Sequence, residues 1–106
     1  LVIGPEVGSC GTAAYTGAAC EVADVEVDPR WTAWRPLARA HDVRACWSYP
    51  VRDEAGRVLG TLALYHAAPR APTADHRALV ESVTALTALA VTRARQHETE
   101  RRLLAI

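Results

Sequence analysis

The stretch ACWSYPVRDEAGRVLGTLALY, residues 45–65, decides the fold of this chain. Apolar and aromatic side chains fill residues 45–51 and 58–65, and runs of this kind bounded by turn residues predict buried strands. Between them, the letters DEAG at residues 53–56 form a turn sequence with glycine where a positive φ is needed. The stretch therefore predicts a β-hairpin, to which the other elements are added.

The two predicted strands carry different side chains on their two faces, because neighbouring residues in a strand point to opposite sides. Trp47 and Tyr49 share one face of the first strand, and Cys46 and Ser48 share the other. On the second strand two sets alternate: Thr61, Ala63 and Tyr65, and Gly60, Leu62 and Leu64. We expect the hydroxyl-bearing set to face a pocket and the leucine set to face a long helix; a shift of one residue would reverse this.

Shorter elements are predicted before the hairpin. They are the end of a strand at residues 1–3, a short helix at 9–15 closed by Gly17, a strand at 20–23 and a helical segment at 31–41. Pro36 fits only near a helix start, so the regular part of the last segment begins close to it. Four residues of this segment recur at helical spacing: Trp34, Leu37, Ala38 and His41.

After the hairpin, a long helix is predicted to start at a cap provided by Thr73 or Asp75 and to run to about the end of the chain. Its apolar residues form two stripes. The first contains Leu79, Val83, Leu86 and Ala90, and the second, of smaller side chains, contains Val80, Thr84, Thr87, Val91 and Ala94. One domain covers only one stripe, so we expect the small-residue stripe to form a parallel homodimer. The polar residues 93–106 predict an exit helix that continues as a coiled-coil linker.

Composition narrows the class of protein. The chain has 106 residues, half of them apolar, which suits one small domain. Twelve basic residues, all arginine, balance twelve acidic ones, so we expect neither nucleic acid nor a membrane surface as a partner. No apolar run approaches the roughly 18 residues of a membrane span. The odd count of three cysteines favours a reducing compartment, the cytoplasm.

The letters GSCGTAA at residues 8–14 carry the strongest functional signal. Every side chain is small, and the glycines allow the backbone to turn sharply and to lie close to a bound molecule. The hydroxyls of Ser9 and Thr12 can bond to backbone or ligand, and Cys10 between them has possible redox chemistry. The motif predicts the rim of a small-molecule pocket.

These pieces in this order resemble a GAF domain. The resemblance rests on GSCGTAA (8–14), on Ala23-Asp24 and Asp28-Pro29 with Trp31, on RACWSYPV (44–51) and on GRVLGTLALY (56–65). It implies an α+β fold, an antiparallel sheet with short helices over a ligand pocket on one face and a long C-terminal helix on the other. Because GAF domains begin with a further helix and strands, it also implies that residues 1–106 form a single, N-terminally truncated GAF domain. A homodimer through the C-terminal helix and a fused output domain are further implications.

Motif, strand faces and resemblance together select ten candidate ligand-binding residues. They are Ser9, Cys10, Gly11, Thr12, Trp31, Cys46, Ser48, Thr61, Ala63 and Tyr65. Trp31 and Trp34, about one helical turn apart, either stack on a flat ligand or anchor their helix to the sheet. The four histidines lack the spacing of metal ligands, so no metal site is predicted, and His41 is the candidate ligand if a haem or metal is bound. No catalytic residue is predicted, and the cofactor is unknown.

Three functions are compatible with these features. The first is a regulatory domain of a bacterial signalling protein that binds a small molecule, or senses redox state, and acts through its C-terminal helix. The second is a thiol enzyme, because free methionine-(R)-sulfoxide reductases share a similar Gly-x-Cys-Gly-Thr-Ala run. Those enzymes place another cysteine just before the next strand, whereas residues 39–44 here read RAHDVR. We therefore expect no enzyme and small, buried, apolar cysteines. The third is a module that only dimerises.

Overall fold

The structure, a computed structural model, describes residues 8–104. Its elements are α1 (Gly8–Thr16), β1 (Cys20–Val22), a 3₁₀ helix (Pro29–Trp34), α2 (Arg35–Ala40), β2 (Ala45–Arg52), β3 (Val58–His66) and α3 (Ala74–Leu104). The three strands of this region form one antiparallel sheet in the order β1-β2-β3. The predicted α+β fold is confirmed. The strand end predicted at residues 1–3 lies outside the described residues.

The predicted hairpin is confirmed. Gly56 has a φ of 84°, and its amide donates to the carbonyl of Asp53 at 3.0 Å. The carboxylate of Asp53 also accepts the amide hydrogens of Ala55 and Arg57, so the turn is closed by backbone and side chain together. This local chemistry fixes the register in which Cys46 lies opposite Tyr65 and Ser48 opposite Ala63.

The register divides the sheet into the two faces that alternation predicts. One face packs on α1, the 3₁₀ helix and α2 through a cluster of Ala13, Cys20, Val22, Val25, Trp31, Ala38 and Cys46, with Ala63 against it. On the opposite face, Trp47 and Tyr49 pack with Val80 of α3, and Leu62 and Leu64 lie against them. Leu62 and Leu64 therefore face α3, as expected, and Ala63 of the other set faces the short helices.

Helix α3 begins after Thr73, whose hydroxyl accepts the amide hydrogen of His76 at 3.2 Å. It packs on the sheet through the stripe of small residues: Val80 is buried, and Thr84, Thr87 and Val91 are half-buried. The stripe expected to form the dimer seam therefore lies at least partly against the sheet, and the homodimer itself stays a prediction. Small side chains let the helix approach the aromatic face of β2, and the larger leucines remain outside, where Leu86 is 67% exposed.

A polar contact adds to the apolar docking of α3. Arg77 of α3 donates to both carboxylate oxygens of Glu21 on β1, at 3.0 and 3.1 Å, and the hydroxyl of Tyr49 donates to the same carboxylate at 2.8 Å. The hydrogen bonds from Arg77 hold the pKa of Glu21 below its ordinary value, although partial burial opposes them. Glu21 therefore links α3 to β1 and β2 at once.

We expect Tyr49→Phe to lower the free energy of unfolding by about 1–2 kcal/mol, because it removes a hydroxyl that donates to a partly buried carboxylate. Since the folded pKa of Glu21 is depressed, this contribution is complete above its ordinary value of 4.5 and is lost as pH falls through the folded pKa. Urea unfolding at neutral and acidic pH measures it. The matched control is Tyr15→Phe at an exposed position, with an effect within about 0.5 kcal/mol. An equal loss in both variants would contradict the expectation.

Candidate functional site

A cavity of about 370 Å³ lies between the sheet and the short helices. Its walls are formed by Gly8, Ser9, Cys10, Trp31, Trp34, Leu37, Ala38, His41, Val43, Cys46 and Tyr65. Most of this surface is apolar, with two indole rings and aliphatic side chains, and the polar groups are few. Cavities of this size and character are typical of sites for small, largely apolar molecules.

A buried hydroxyl holds three sides of the cavity together. Ser9 is 1% exposed, its Oγ donates to the carbonyl of Cys46 at 3.1 Å, and it accepts the indole hydrogen of Trp31 at 2.8 Å. These bonds connect α1, β2 and the 3₁₀ helix. Because the one hydrogen-bond donor of the Trp31 ring is already bonded to Ser9, the ring offers the cavity only its apolar surface.

The outer wall is formed by the 3₁₀ helix and α2, which Asp28 and Arg35 hold in place. Asp28 caps the 3₁₀ helix by accepting the amide hydrogen of Arg30 at 2.9 Å. The guanidinium group of Arg35 donates to the backbone carbonyls of Val25 and Asp28, at 3.0 and 3.1 Å. These hydrogen bonds hold the polar side of the two helices against the preceding loop, and the apolar side chains on their other side line the cavity.

Two thiols and a hydroxyl meet at the side of the cavity formed by the sheet. The sulfur of Cys10 lies 3.1 Å from Oγ of Ser48, and the sulfur of Cys46 lies 3.6 Å from the same atom. A hydrogen bond with Cys46, helped by the hydroxyls of Ser48, Thr61 and Tyr65, lowers the pKa of Cys10 to about 5, although partial burial opposes the change. The lowered pKa favours the thiolate form of Cys10 over that of an ordinary cysteine.

The other two cysteines and Tyr65 have raised pKa values, which favour their protonated forms. The same hydrogen bond, together with burial, raises the pKa of Cys46, and burial raises the pKa of Cys20. Burial and the neighbouring Cys10 raise the pKa of Tyr65 to about 12. The expectation of small, buried cysteines holds for Cys20 and Cys46, but it is wrong for Cys10, which is partly exposed and lines the cavity.

The structure brings half of the candidate residues to the cavity wall: Ser9, Cys10, Trp31, Cys46 and Tyr65. The other five lie outside the wall. Gly11 and Thr12 are buried within α1, where the Thr12 hydroxyl donates to the carbonyl of Gly8. Ser48 is fully buried beside the two sulfurs, Ala63 packs in the core cluster, and Thr61 is half-buried on β3.

Six wall residues were not among the candidates: Gly8, Trp34, Leu37, Ala38, His41 and Val43. Four of them form the apolar stripe that predicted the helical segment at residues 31–41. The signal was therefore present, because the face that repeats at helical spacing is the face that packs inward. In this protein that face covers a cavity as well as a core.

Metal-binding clusters and membrane-spanning helices were sought among the described residues. Between residues 8 and 104, no group of three or more His, Cys, Asp or Glu side chains is arranged to hold a metal ion. In the same region, no helix has both the length and the apolar character needed to cross a bilayer.

The fold and cavity define a class of protein: a small α+β module with a ligand-sized cavity under short helices and a long helix on the opposite face of the sheet. Residues 1–91 match the GAF domain family, and the chain belongs to that family. The resemblance noted from the sequence is thus confirmed.

Individual relatives carry sensory and enzymatic names. The chain is 29% identical over 83 residues to a methyl sulfide methyltransferase-associated sensor of Methanosarcina acetivorans; the match covers 78% of the chain but only 8% of that protein. A domain of a two-component sensor histidine kinase protein from Sinorhizobium meliloti has a TM-score of 0.72 at 16% identity, over 78% of this chain and 57% of that one. Type II free methionine-R-sulfoxide reductase from Thermoplasma acidophilum has a TM-score of 0.68 at 22% identity, over 86% of this chain and 60% of that one. At these identities the structural matches show the fold.

We expect iodoacetamide to modify Cys10 before Cys20 and Cys46, because the thiolate is the reactive form and only Cys10 is both ionised and accessible. Its labelling rate should change little between mildly alkaline and mildly acidic pH, whereas a thiol of ordinary pKa slows roughly tenfold per pH unit below its pKa. Mass spectrometry of labelled peptides over a pH series measures both.

The controls for this labelling experiment are two alanine variants. Cys46→Ala removes the hydrogen-bond donor and should give Cys10 a steep pH dependence, while Cys20→Ala should leave the flat profile unchanged. A steep profile in the wild type would show that Cys10 is an ordinary thiol.

Proposed function

We propose that the chain is a regulatory, non-enzymatic ligand-sensing domain of a signal-transduction protein. The observation that carries the proposal is the 370 Å³ cavity on one face of a sheet whose other face binds the long helix α3. A relative named as a sensor and a structural neighbour from a sensor kinase support the same role. The ligand of this domain would be small and mostly apolar, and an aromatic ring would suit the two indoles of the wall.

Strand β2 provides the path from ligand to helix. Cys46 lines the cavity, and the next residue, Trp47, packs on Val80 of α3 and lies with its ring centroid 5.1 Å from that of His76. A ligand that shifts β2 at Cys46 would move Trp47 against the start of α3. For this to carry a signal, the ligand must bind the two arrangements of α3 with different affinity.

The polar part of α3 from Arg93 onward would continue as a coiled coil into a fused output domain. A cytoplasmic location belongs to the same proposal, because three free cysteines suit a reducing compartment. The chain spans 8% of the length of its sensor relative and 57% of the solved domain of the sensor histidine kinase protein, so the partner domains of this protein belong to the proposal.

The reductase alternative is less well supported. The fold match to the Thermoplasma enzyme is consistent with it, and Cys10 is a thiolate in the matching motif. However, the segment before β2 has no cysteine, and Cys46 lies within β2, fully buried. A module that only dimerises is also less well supported, since its own side chains would be expected to fill the cavity.

A homodimer through α3 is the proposed assembly, with its seam on the leucine stripe. Leu79, Val83 and Leu86 follow one another at spacings of four and three residues and are 65%, 36% and 67% exposed. This spacing is that of a coiled-coil seam, and an exposed stripe of this kind is stabilised by burial against a second copy. The small-residue stripe is already occupied by the sheet.

We expect the uncharged fluorophore 1-aminoanthracene to bind in the cavity with enhanced emission. Ala38→Phe should raise the dissociation constant of the fluorophore by about tenfold or more. The wall residue Ala38 is 2% exposed, so the introduced phenyl ring would occupy space in the cavity. Ala78→Phe on the exposed side of α3 is the matched control and should bind like the wild type. Circular dichroism confirms that both variants are folded. Absence of binding to the wild type, or equal binding to a folded Ala38→Phe, would refute the proposed pocket.

We expect light scattering over a dilution series to show a dimer that Leu86→Glu dissociates. The introduced carboxylate would be desolvated in the seam, at a cost of several kcal/mol, about a hundredfold or more in the dissociation constant. Val27→Glu, at an exposed apolar residue outside α3 and the cavity wall, is the matched control and should remain dimeric. A wild type that is monomeric at every concentration, or a Leu86→Glu variant that dimerises normally, would be evidence against this seam.

A further inference from the structure

We propose that Cys10 and Cys46 form a dithiol switch, which an apolar organic hydroperoxide entering the cavity oxidises to a disulfide. The inference rests on the proposed sensory role of the cavity and adds a chemical class of stimulus to it. It concerns two thiols on different elements, one in α1 and one in β2, separated by 36 positions in the sequence.

The first support is geometry. Both sulfurs lie close to the single hydroxyl oxygen of Ser48, at 3.1 Å from Cys10 and 3.6 Å from Cys46. Cys20, the third cysteine, lies opposite Ser48 in the register of β1 and β2, but within residues 8–104 its sulfur makes no hydrogen bond to that hydroxyl. The shared contact with Ser48 therefore distinguishes Cys10 and Cys46 as the pair, and a disulfide requires that their side chains turn toward each other.

The second support is the difference in access. Cys10 is partly exposed and lines the cavity, whereas Cys46 is fully buried behind it. A molecule in the cavity therefore meets the sulfur of Cys10 first. Since the walls are mostly apolar, an organic hydroperoxide with an apolar group is favoured over hydrogen peroxide, which gains nothing from this surface.

The third support is the chemistry around the sulfur. The lowered pKa of Cys10 favours its thiolate, and its sulfur lies 3.1 Å from Oγ of Ser48. Tyr65 lines the cavity, and its hydroxyl can donate to the peroxide oxygens as negative charge develops on the leaving oxygen. The thiolate is the nucleophilic form, so the group that the reaction needs is already present.

The reaction proceeds in two steps. The sulfur of Cys10 attacks the terminal oxygen of the hydroperoxide; a sulfur–oxygen bond forms, the oxygen–oxygen bond breaks, and the alkoxide leaves as an alcohol after taking a proton from solvent. Cys46 then attacks the sulfenic acid of Cys10; the disulfide forms, the sulfur–oxygen bond breaks, and hydroxide leaves with the Cys46 proton as water. The dithiol loses two electrons, and the hydroperoxide is reduced to alcohol and water.

The first step prepares the second. In the reduced protein, the hydrogen bond with Cys10 is the largest cause that raises the pKa of Cys46. When Cys10 becomes a neutral sulfenic acid, its negative charge disappears, and Cys46 is no longer held in the protonated form by it. The buried thiol therefore becomes a better nucleophile only after its neighbour has been oxidised.

The test treats the reduced 106-residue chain with cumene hydroperoxide or with hydrogen peroxide, followed by alkylation and mass spectrometry. Because cleavage at arginine leaves Cys10 and Cys20 on one peptide, residues 1–30, and Cys46 on residues 45–52, the Cys20→Ser variant assigns the bond. We expect a disulfide between these peptides in both the wild type and Cys20→Ser. Cumene hydroperoxide should act about tenfold faster or more.

Two variants separate the steps. Cys10→Ser should form no disulfide, and Cys46→Ala should stop at a sulfenic acid on Cys10 that dimedone traps. If Cys46→Ala fails to fold, the peptides from the wild type and from Cys20→Ser still show which two cysteines form the disulfide. A bond that involves Cys20, a bond between chains, equal rates for the two peroxides, or no loss of thiols would overturn the proposal. Binding of 1-aminoanthracene by the reduced wild type reports on the cavity separately, so a chain that binds it without forming the disulfide refutes the switch alone.

Discussion

The alternation of side chains along β2 is the constraint on which the rest of the structure depends. Cys46 and Ser48 point to the cavity side, while Trp47 and Tyr49 point to α3. The short helices pack on the first of these faces, and α3 packs on the second. Because β2 is the central strand, hydrogen-bonded on both sides, it moves as part of the sheet, and the two faces cannot change independently.

The parts of the fold that depend on local chemistry could be predicted from the sequence. The hairpin follows from the turn at residues 53–56, and the faces follow from the period of two that a strand imposes. The stripe of α3 that packs on the sheet could not be predicted in this way, since both stripes repeat at the same spacing. Which stripe packs inward depends on the shape of the surface that it meets, and the large ring of Trp47 favours the flat side of the helix around Val80.

The site was predicted only where a motif marks it. Ser9 and Cys10 belong to a run of small residues that is recognisable in the sequence. Leu37 and Val43, in contrast, line the cavity because tertiary contacts hold α2 there, such as those of Arg35 with the carbonyls of Val25 and Asp28. The ionisation of Cys10 has the same origin. It depends on Cys46 and Ser48, more than thirty positions away, and a thiol's neighbours in sequence say nothing about its neighbours in space.

Ser9 shows how a contact at the cavity wall reaches the sheet. It accepts from the indole of Trp31 and donates to the carbonyl of Cys46, so the position of an aromatic wall residue is tied to the backbone of β2. One position further along that backbone, Trp47 donates to the carbonyl of Arg70 and packs where α3 begins. A wall held by buried, satisfied hydrogen bonds is stiff, because breaking one leaves an unpaired polar group in the interior. Displacement of Trp31 is therefore more easily accommodated by a shift of β2 as a whole than by loss of these bonds, and α3 is the element that rests on its other face.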